Sequence, residues 1–265
     1  MTVLSAHIDG IAVLGPGLAS WSATESILAG RAPYVPARTI LPAATALPAA
    51  ERRRAGRVVQ LVIATGLDAA EGAGLDPATL VSVFASSGGD GDNCHELCQA
   101  LASPERQVSP TRFHNSVHNA PAGYWSIATR AMTSSTSICA YDRSFSAGLL
   151  EAMVQVATIR QPVLLLAYDV DYPFPLRAVR RIPDAFGLAL VLVPARTGRS
   201  IVQLTMQLCD AMQEACEPSD LESLRIAIPA ARSLSLLRLI ARRERRTIGF
   251  EHLGSTSLSA AISPC

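Results

Sequence analysis

Cys139 and Asp142 lie three residues apart near the middle of the chain, and both have side chains relevant to acyl-transfer chemistry. They precede a run whose apolar spacing predicts a helix over residues 144–158. A thiolate near a helix N-terminus is a strong nucleophile, because the helix dipole lowers the pKa of the thiol. An aspartate at such a position typically caps the helix. It cannot replace a thiolate in thioester exchange, because an acyl-aspartate is an anhydride of higher free energy than a thioester. For Cys139, the simpler interpretation is a buried, unreactive side chain.

His114 and His118 are four residues apart, a spacing that would put two metal ligands on one face of a helix. No glutamate follows the first histidine, and the segment has no clear helical pattern. A structural role is therefore the simpler interpretation, in which Asn115, His118 and Asn119 satisfy one another and buried backbone groups. Further candidate ligands are Cys94, His95 and Cys98. We expect neither a metal nor another cofactor in this chain.

Two further features have the chemistry of anion binding. The glycine-rich loop at residues 86–91 precedes a predicted helix, but it lacks the lysine of a phosphate-binding loop and a GxGxxG pattern, so a simple turn is expected. Two arginine clusters have the charge to dock an acidic carrier protein, although a solvated helix face is the simpler interpretation. These clusters are Arg52, Arg53, Arg54 and Arg57, and Arg242, Arg243, Arg245 and Arg246.

The elements that position these residues alternate between buried strands and helices. This order predicts an α/β architecture. The predicted strands cover residues 7–14, 80–85, 163–168, 188–193 and 200–207, and the predicted helices cover residues 22–28, 51–71, 93–101 and 144–158. A proline- and alanine-rich connection is predicted at 32–50, and a proline- and arginine-rich loop at 171–181.

The composition indicates an ordered globular chain. With 265 residues and 49% hydrophobic residues, the sequence is long enough for one large domain or two small ones. A net charge of +1 gives no reason to expect nucleic-acid binding. The longest apolar runs are too short to span a bilayer, and no signal-peptide pattern is present. The six cysteines follow no secreted disulfide framework, so a cytoplasmic location is expected.

The central run at residues 109–152 contains a Ser-Pro step at Ser109-Pro110, then Asn119, then an Ala-Gly step at Ala122-Gly123. These steps resemble the middle of a β-ketoacyl synthase, where a strand then delivers the nucleophilic cysteine on a sharp turn into a buried helix. Continued without a gap, the cysteine position falls on Asp142. Further matches in the same order are Gly15-Pro16-Gly17, the AGLDP segment that ends at Pro77, and DAFGLALVLV at residues 184–193. The resemblance extends over roughly residues 3–207.

The resemblance implies a thiolase-like fold, mainly the N-terminal half of a β-ketoacyl synthase with a truncated C-terminal part. We expect a single domain over residues 1–265, in which residues 208–265 form shortened C-terminal elements. The second half of the enzyme normally supplies two catalytic histidines. His252 is the only histidine in that part of this chain and lacks the surroundings of those residues. The match is best with short proteins of the chain-length-factor type, which occur in aryl polyene pathways.

The resemblance also assigns roles to the residues of the central run. The residues expected to close the acyl tunnel and limit chain length are Thr111, Arg112, Phe113 and His114. The residues expected at the partner interface are Asn115, His118, Asn119, Tyr124 and Trp125. For Tyr124 and Trp125, packing in the core is the alternative. No catalytic residue is expected, and Asp142 occupies the nucleophile position.

These expectations lead to one main functional hypothesis. The chain is a catalytically inactive chain-length factor that pairs with a full-length β-ketoacyl synthase as a heterodimer. Its acyl chains would arrive on an acyl carrier protein during polyene, polyketide or fatty-acid-type synthesis. One alternative is a self-sufficient acyltransferase that uses Cys139 or Asp142. Another is a scaffold that stabilises a ketosynthase without touching substrate, and a metal protein is the weakest alternative.

Overall fold

A single eight-stranded mixed sheet forms the centre of a computed structural model that describes residues 3–210 and 221–265. The strand order across the sheet is β3-β2-β4-β5-β1-β6-β8-β7, numbered along the chain. The strands are β1 (Leu4–Leu14), β2 (Val81–Ala85), β3 (Ser135–Ile138), β4 (Val163–Asp169), β5 (Phe186–Val193), β6 (Val202–Asp210), β7 (Arg246–Glu251) and β8 (Thr256–Pro264).

Parallel and antiparallel pairing divide the sheet. Strands β3, β2 and β4 are parallel neighbours, whereas every pairing from β4 to β7 is antiparallel. Because the carboxyl ends of the three parallel strands lie at the same edge, the loops that follow them come together there. β3 is the outermost strand on this side and has β2 as its neighbour.

Helices cover both faces of the sheet. The helices are α1 (Trp21–Leu28), α2 (Ala49–Arg52), α3 (Arg57–Ala73), α4 (Gly91–Ala102), α5 (Pro110–His114), α6 (Ala120–Thr129), α7 (Ser144–Ile159), α8 (Leu176–Val179), α9 (Glu222–Ala227) and α10 (Leu234–Arg242). α3 and α6 pack on one face, and α1, α7 and α10 contribute to the core of the other. Their apolar side chains remove the faces of the sheet from water, which is the main stabilising contribution in such a layered fold.

The strand sequences account for this burial. Every residue of β2, β4 and β5 is buried, and these strands are mostly apolar because helices cover both of their faces. Side chains alternate between the faces: Leu165 contributes to one core, and Leu164 and Leu166 to the other. The predicted α/β architecture is confirmed.

The structure corrects one predicted element. The helix predicted over residues 51–71 is two helices, because the chain turns between Arg52 and Gly56 before α3 begins. In the C-terminal part, β7 and β8 extend the same sheet beyond β6. Within residues 3–210 and 221–265, no helix combines the length and apolarity needed to cross a membrane.

Candidate functional site

The carboxyl ends of β2, β3 and β4 form the candidate site. Residues 86–90 follow β2, residues 139–143 link β3 to α7, and Asp169 ends β4. The 3-10 turn Pro229–Ser233, from the C-terminal part, packs against this edge through Ala230. Crevices at the carboxyl ends of parallel strands are the usual location of sites in α/β folds.

Asp142 is held by arginines and does not cap α7. It lies in the 3-10 turn Tyr141–Arg143, and the cap position of α7 belongs to Arg143. The Asp142 Oδ1 atom accepts a hydrogen bond from a guanidinium nitrogen of Arg180 at 2.7 Å, and Oδ2 lies 3.8 Å from Arg232. The predicted capping role was therefore wrong, because two cations provide stronger partners for the carboxylate than a backbone amide.

Arg180 is the partner that the sequence did not identify. Its guanidinium lies 3.8 Å from the centre of the Tyr141 ring, and its side chain is 17% exposed. Burial opposes its charge, but the hydrogen bond and attraction from Asp142 outweigh burial and raise the pKa of Arg180. The only sequence signal for this role was the arginine content of the loop at residues 171–181.

A second acidic residue joins the hairpin between β7 and β8 to the same turn. Glu251 lies 3.5 Å from Arg143 and 3.5 Å from Arg232, and its carbonyl oxygen accepts a hydrogen bond from the Ser146 hydroxyl at 2.6 Å. The next residue, His252, has its pKa lowered by burial and by the charge of Arg143. The hairpin therefore fixes the start of α7 from the C-terminal part of the chain.

Asp169 is the most deeply buried acid of the site. Its Oδ1 accepts hydrogen bonds from the Ser87 amide at 2.9 Å and the Ser87 hydroxyl at 2.6 Å, and its Oδ2 accepts from the Ala230 amide at 2.8 Å. Burial raises the pKa of Asp169 to about 6, although these hydrogen bonds oppose the rise. Asp169 thus connects the loop after β2 with the C-terminal 3-10 turn.

Cys139 is exposed, which contradicts the expectation of a buried side chain. Its thiol donates to the carbonyl oxygen of Ser87 at 3.3 Å, and Asp169 fixes that serine. Cys139 and Asp142 therefore have different surroundings in one turn: Cys139 is an exposed residue whose thiol is hydrogen-bonded to Ser87, and the carboxylate of Asp142 is paired with arginine.

The four residues predicted to close a tunnel lie together on and around α5. Phe113 is 70% exposed, and Arg112 pairs with Glu96 at 3.3 Å. A cleft of about 610 Å³ lies between α5 and α6 and is mostly apolar. Its lining residues are Glu51, Pro110, Phe113, His114, Val117, Asn119, Ala120, Gly123, Tyr124 and Ile127. Thr111 and Arg112 line a separate polar cleft on the other side of α5.

The predicted interface residues separate into two groups. Asn115 accepts a hydrogen bond from the Tyr124 hydroxyl at 3.1 Å and donates to the carbonyl of Arg54 at 3.1 Å. His118 Nε2 lies 3.2 Å from the Ile138 carbonyl oxygen, and Asn119 is exposed at the start of α6.

Tyr124 and Trp125 form the second group and belong to the core. Their exposed fractions are 3% and 1%, so neither ring is presented to a partner, and the core alternative fits. Their aromatic area is buried by the chain's own packing, which is the ordinary role of such residues.

The arginine clusters differ in their surroundings. Arg54 pairs with Glu51 at 3.3 Å, and Arg57 pairs closely with Asp171 and at 3.6 Å with Asp92. The polar cleft of about 420 Å³ lies beside them, and Arg53, Arg54, Arg57 and Arg112 all line it. In the C-terminal cluster, Arg242 lies 3.7 Å from Glu244 and donates to the Leu28 carbonyl at 3.1 Å.

The candidate metal ligands belong to no metal-binding group of three or more: among residues 3–210 and 221–265, no three side chains of His, Cys, Asp or Glu form a group that would hold a metal ion. His114 is exposed at the end of α5, whereas the ring of His118 hydrogen-bonds to β3. The polar groups at this edge of the sheet are the Cys139 thiol, the arginine-paired carboxylates of Asp142 and Glu251, and the buried carboxyl of Asp169.

Comparisons with known proteins agree with this architecture. The family model for the β-ketoacyl synthase N-terminal domain matches residues 21–249. A search of curated proteins finds no match. Among solved structures, the chain is similar to a chain of "Ketosynthase (ApeO) in Complex with its Chain Length Factor (ApeC) from Xenorhabdus doucetiae". The identity is 22% and the TM-score is 0.73, and the match covers 97% of this chain and 99% of that chain.

Two further structures have the same fold at lower identity. "The ishigamide ketosynthase/chain length factor" has 13% identity and a TM-score of 0.69, covering 98% of this chain and 99% of that chain. A chain of the AntDE:AntF structure, a type II polyketide synthase acyl-carrier protein in complex with its ketosynthase, has 10% identity to this chain and a TM-score of 0.75, with 100% of each chain covered. The predicted thiolase-like fold is confirmed, and the chain belongs to the β-ketoacyl synthase N-terminal-domain family.

Proposed function

We propose that this chain is the non-catalytic, chain-length-determining subunit of a heterodimer with a full-length β-ketoacyl synthase. The observation that carries the proposal is the pairing of Asp142 with Arg180 at 2.7 Å. At the position that the resemblance gives to the family's nucleophile, the chain has the carboxylate of Asp142. That carboxylate forms an ion pair with Arg180, which stabilises the turn Tyr141–Arg143. Condensation would then need a thiolate and histidines supplied by the partner.

Exposed apolar side chains around α5, α6 and β3 support the pairing. Phe113, Val117, Ile127 and Met132 are 70%, 53%, 45% and 96% exposed. Exposed apolar side chains near an edge strand, here β3, are typical of a surface that another protein covers. Two of the similar structures contain a ketosynthase and a chain length factor, which supports the same kind of partner for this chain.

The tunnel assignment for Thr111, Arg112, Phe113 and His114 is part of the proposal. In the heterodimer, the partner would cover the cleft beside α5, and the side-chain volume of Phe113 would set how far an acyl chain extends. A rigid polyene cannot fold back to avoid a ring, so a bulky wall produces a sharp length limit. The partner interface would also include Asn115, His118 and Asn119.

The carrier protein is the second proposed partner. Carrier proteins are acidic, and the arginines around the polar cleft, Arg53, Arg54 and Arg112, have the complementary charge. The structure of a carrier protein in complex with its ketosynthase, AntDE:AntF, supports this class of partner. We assign the chain to cytoplasmic polyketide, aryl polyene or fatty-acid-type synthesis as one domain over residues 1–265.

Co-expression with the cognate full-length ketosynthase tests the proposal. We expect a stable 1:1 complex that extends malonyl-derived chains, and no extension by this chain alone. Extension by the isolated chain would overturn the non-catalytic assignment, and failure to form a complex would overturn the pairing. If the chain is instead a scaffold that never touches substrate, mutations at the interface would change the yield of the complex but leave the length of the product unchanged.

One observation favours a second candidate function. Cys139 is an exposed residue with a free thiol, which makes it a candidate nucleophile for acyl transfer by this chain. Incubation of the isolated chain with an acyl thioester, followed by mass analysis of its peptides, separates the two functions. Stoichiometric acylation of Cys139, lost in Cys139→Ser and retained in Cys94→Ser, would favour the acyltransferase.

A further inference from the structure

Cys94 and Cys98 form a pair of thiols that the proposed function does not use. Both residues lie in α4, and both are exposed cysteines with free thiols. Residues four apart in a helix are neighbours on one face, with their Cβ atoms about 5–6 Å apart. Burial and then the neighbouring Cys98 thiol raise the pKa of Cys94, so the two side chains interact with each other. The pair is therefore one site and not two separate thiols.

The face of α4 that carries the pair is open to solvent. The buried residues of this helix are Gly91 and Asn93, which lie at its start. Leu101 continues the face of the two cysteines at the next turn and is 57% exposed. The carboxylate of Asp90, the N-cap residue of α4, also contributes to the raised pKa of Cys94, so negative charge lies close to the pair. A small cation can reach the two sulfur atoms and is favoured there over an anion.

Helix geometry separates three uses of such a pair. A disulfide needs Cβ atoms about 3.5–4.5 Å apart, which is less than the spacing in a regular helix, so it would distort α4. A peroxide-reactive cysteine needs a lowered thiol pKa, whereas the pKa of Cys94 is raised. An ion held between the two sulfur atoms fills the wider gap, and its positive charge removes the repulsion between two thiolates.

The number of ligands selects the kind of ion. A structural zinc site takes four protein ligands. No three side chains of His, Cys, Asp or Glu form a metal-binding group in residues 3–210 and 221–265, so the adjacent His95 does not complete such a set. Two thiolates without a third protein ligand suit a soft monovalent ion such as Cu(I), which prefers sulfur and accepts two ligands in a line.

We propose that Cys94 and Cys98 form a two-thiolate binding site for the soft cation Cu(I) on the exposed face of α4. Binding releases the two thiol protons to solvent and forms two copper–sulfur bonds, and no electron is transferred. The ion ties two successive turns of α4 together. This helix holds α5, because the Asn93 side-chain amide donates to the Arg112 carbonyl oxygen at 2.8 Å and Glu96 pairs with Arg112 at 3.3 Å.

Titration with Cu(I) itself tests the site. The full-length reduced chain, kept in solution by a cysteine-free tag, competes without oxygen against a colorimetric Cu(I) chelator. We expect one tightly bound ion per chain. Cys94→Ser and Cys98→Ser should each weaken binding about 100-fold or more, because a two-point attachment becomes a single thiolate. Cys265→Ser, which removes an exposed thiol outside α4, should bind as the original chain does.

The matched control moves one thiol without changing the number of thiols. Cys98→Ser combined with Gln99→Cys places the second sulfur about 140° around the helix from Cys94. Gln99 is exposed, so this double variant should fold as the original chain does. It should bind Cu(I) as weakly as Cys94→Ser. Equal affinity of the double variant and the original chain would overturn the inference, since the thiols would then act singly.

Hydrogen exchange of the α4 amides gives a second measurement. Cu(I) should slow exchange across α4 in the original chain but not in the double variant, because the ion stabilises only the folded helix. If the original chain binds no Cu(I) and instead forms a Cys94–Cys98 disulfide with oxidised glutathione, the pair is a redox site and the cation assignment is wrong. None of these measurements involves a ketosynthase, so the inference and the proposed heterodimer can fail separately.

Discussion

The carboxylate of Asp142 and the guanidinium of Arg180 meet at 2.7 Å across 38 residues of sequence. Arg180 stacks on Tyr141, the residue before Asp142, so one arginine contacts two consecutive residues of the turn. Tyr141 has a φ of 52°, in the left-handed region that a residue other than glycine adopts at a cost. The ion pair and the stacking together stabilise a turn that the backbone alone disfavours.

Replacement of Asp142 by asparagine should affect stability more than function. The substitution removes a charge-assisted hydrogen bond to a largely buried arginine, but the Asp142 side chain is 39% exposed and water screens part of the loss. We expect the free energy of unfolding to fall by about 1 kcal/mol, measured by urea denaturation of the complex. Chain extension by the heterodimer should remain close to normal, and a near-complete loss would instead indicate that Asp142 takes part in the chemistry.

Restoring a thiol at this position should not restore an enzyme. Asp142→Cys introduces a thiol at the position that the resemblance gives to the family's nucleophile, but the proposed division of labour leaves to the partner the pair of histidines that supports decarboxylation. We expect no condensation by the isolated variant with malonyl and acyl carrier substrates. Product formation by the isolated Asp142→Cys chain would contradict the division of labour between the subunits.

Phe113 should limit the length of the product. Replacement by alanine removes an aromatic ring from the wall of the apolar cleft, and we expect the heterodimer to make longer acyl chains, measured by mass analysis of the released products. Phe174→Ala is the matched control, because Phe174 is similarly exposed, at 73%, but lies outside the lining of that cleft. If Phe113→Ala and Phe174→Ala give products of equal length, Phe113 does not set the length of the product.

Trp125 should stabilise the fold of the isolated chain. The ring is 1% exposed and packs over Gly66, so Trp125→Ala leaves a large cavity between α3 and α6. We expect the free energy of unfolding to fall by about 3–5 kcal/mol, measured by chemical denaturation. Asn119→Ala, an exposed change in the same helix region, should cost well under 1 kcal/mol. Similar values for the two variants would contradict the placement of Trp125 in the core.

Trp125 also illustrates which parts of the structure were predictable from the sequence. Local patterns predicted β2, β4, β5 and α7, because continuous apolar runs and helical spacing depend on neighbouring residues. Whether an aromatic residue faces the core or a partner depends on the distant surface that it meets, here Gly66. The partner of Asp142 was missed for the same reason, since only the fold brings the loop that contains Arg180 to the turn after β3.

Asp169 should make stability decrease as the pH rises. Its pKa in the folded chain is about 6, against an ordinary value of 3.8, so between these values the folded state binds more protons than the unfolded state. The contribution of Asp169 to the free energy of unfolding is therefore most favourable below pH 3.8 and is lost as the pH rises through about 6. The loss should total about 3 kcal/mol, from the 2.2-unit difference between about 6 and 3.8.

The comparison of the original chain with Asp169→Asn isolates this effect. The amide cannot accept hydrogen bonds from both Ser87 and Ala230, but that cost does not depend on pH and cancels when two pH values are compared. The other groups that interact with Asp169, including Arg180 and Tyr168, are present in both proteins. Urea denaturation at pH 4 and pH 7.5 should show the original chain losing about 2 kcal/mol relative to the variant at the higher pH, because part of the full effect is already lost at pH 4. A difference that stays constant between the two pH values would mean that the buried carboxyl ionises in the folded chain as readily as in the unfolded one.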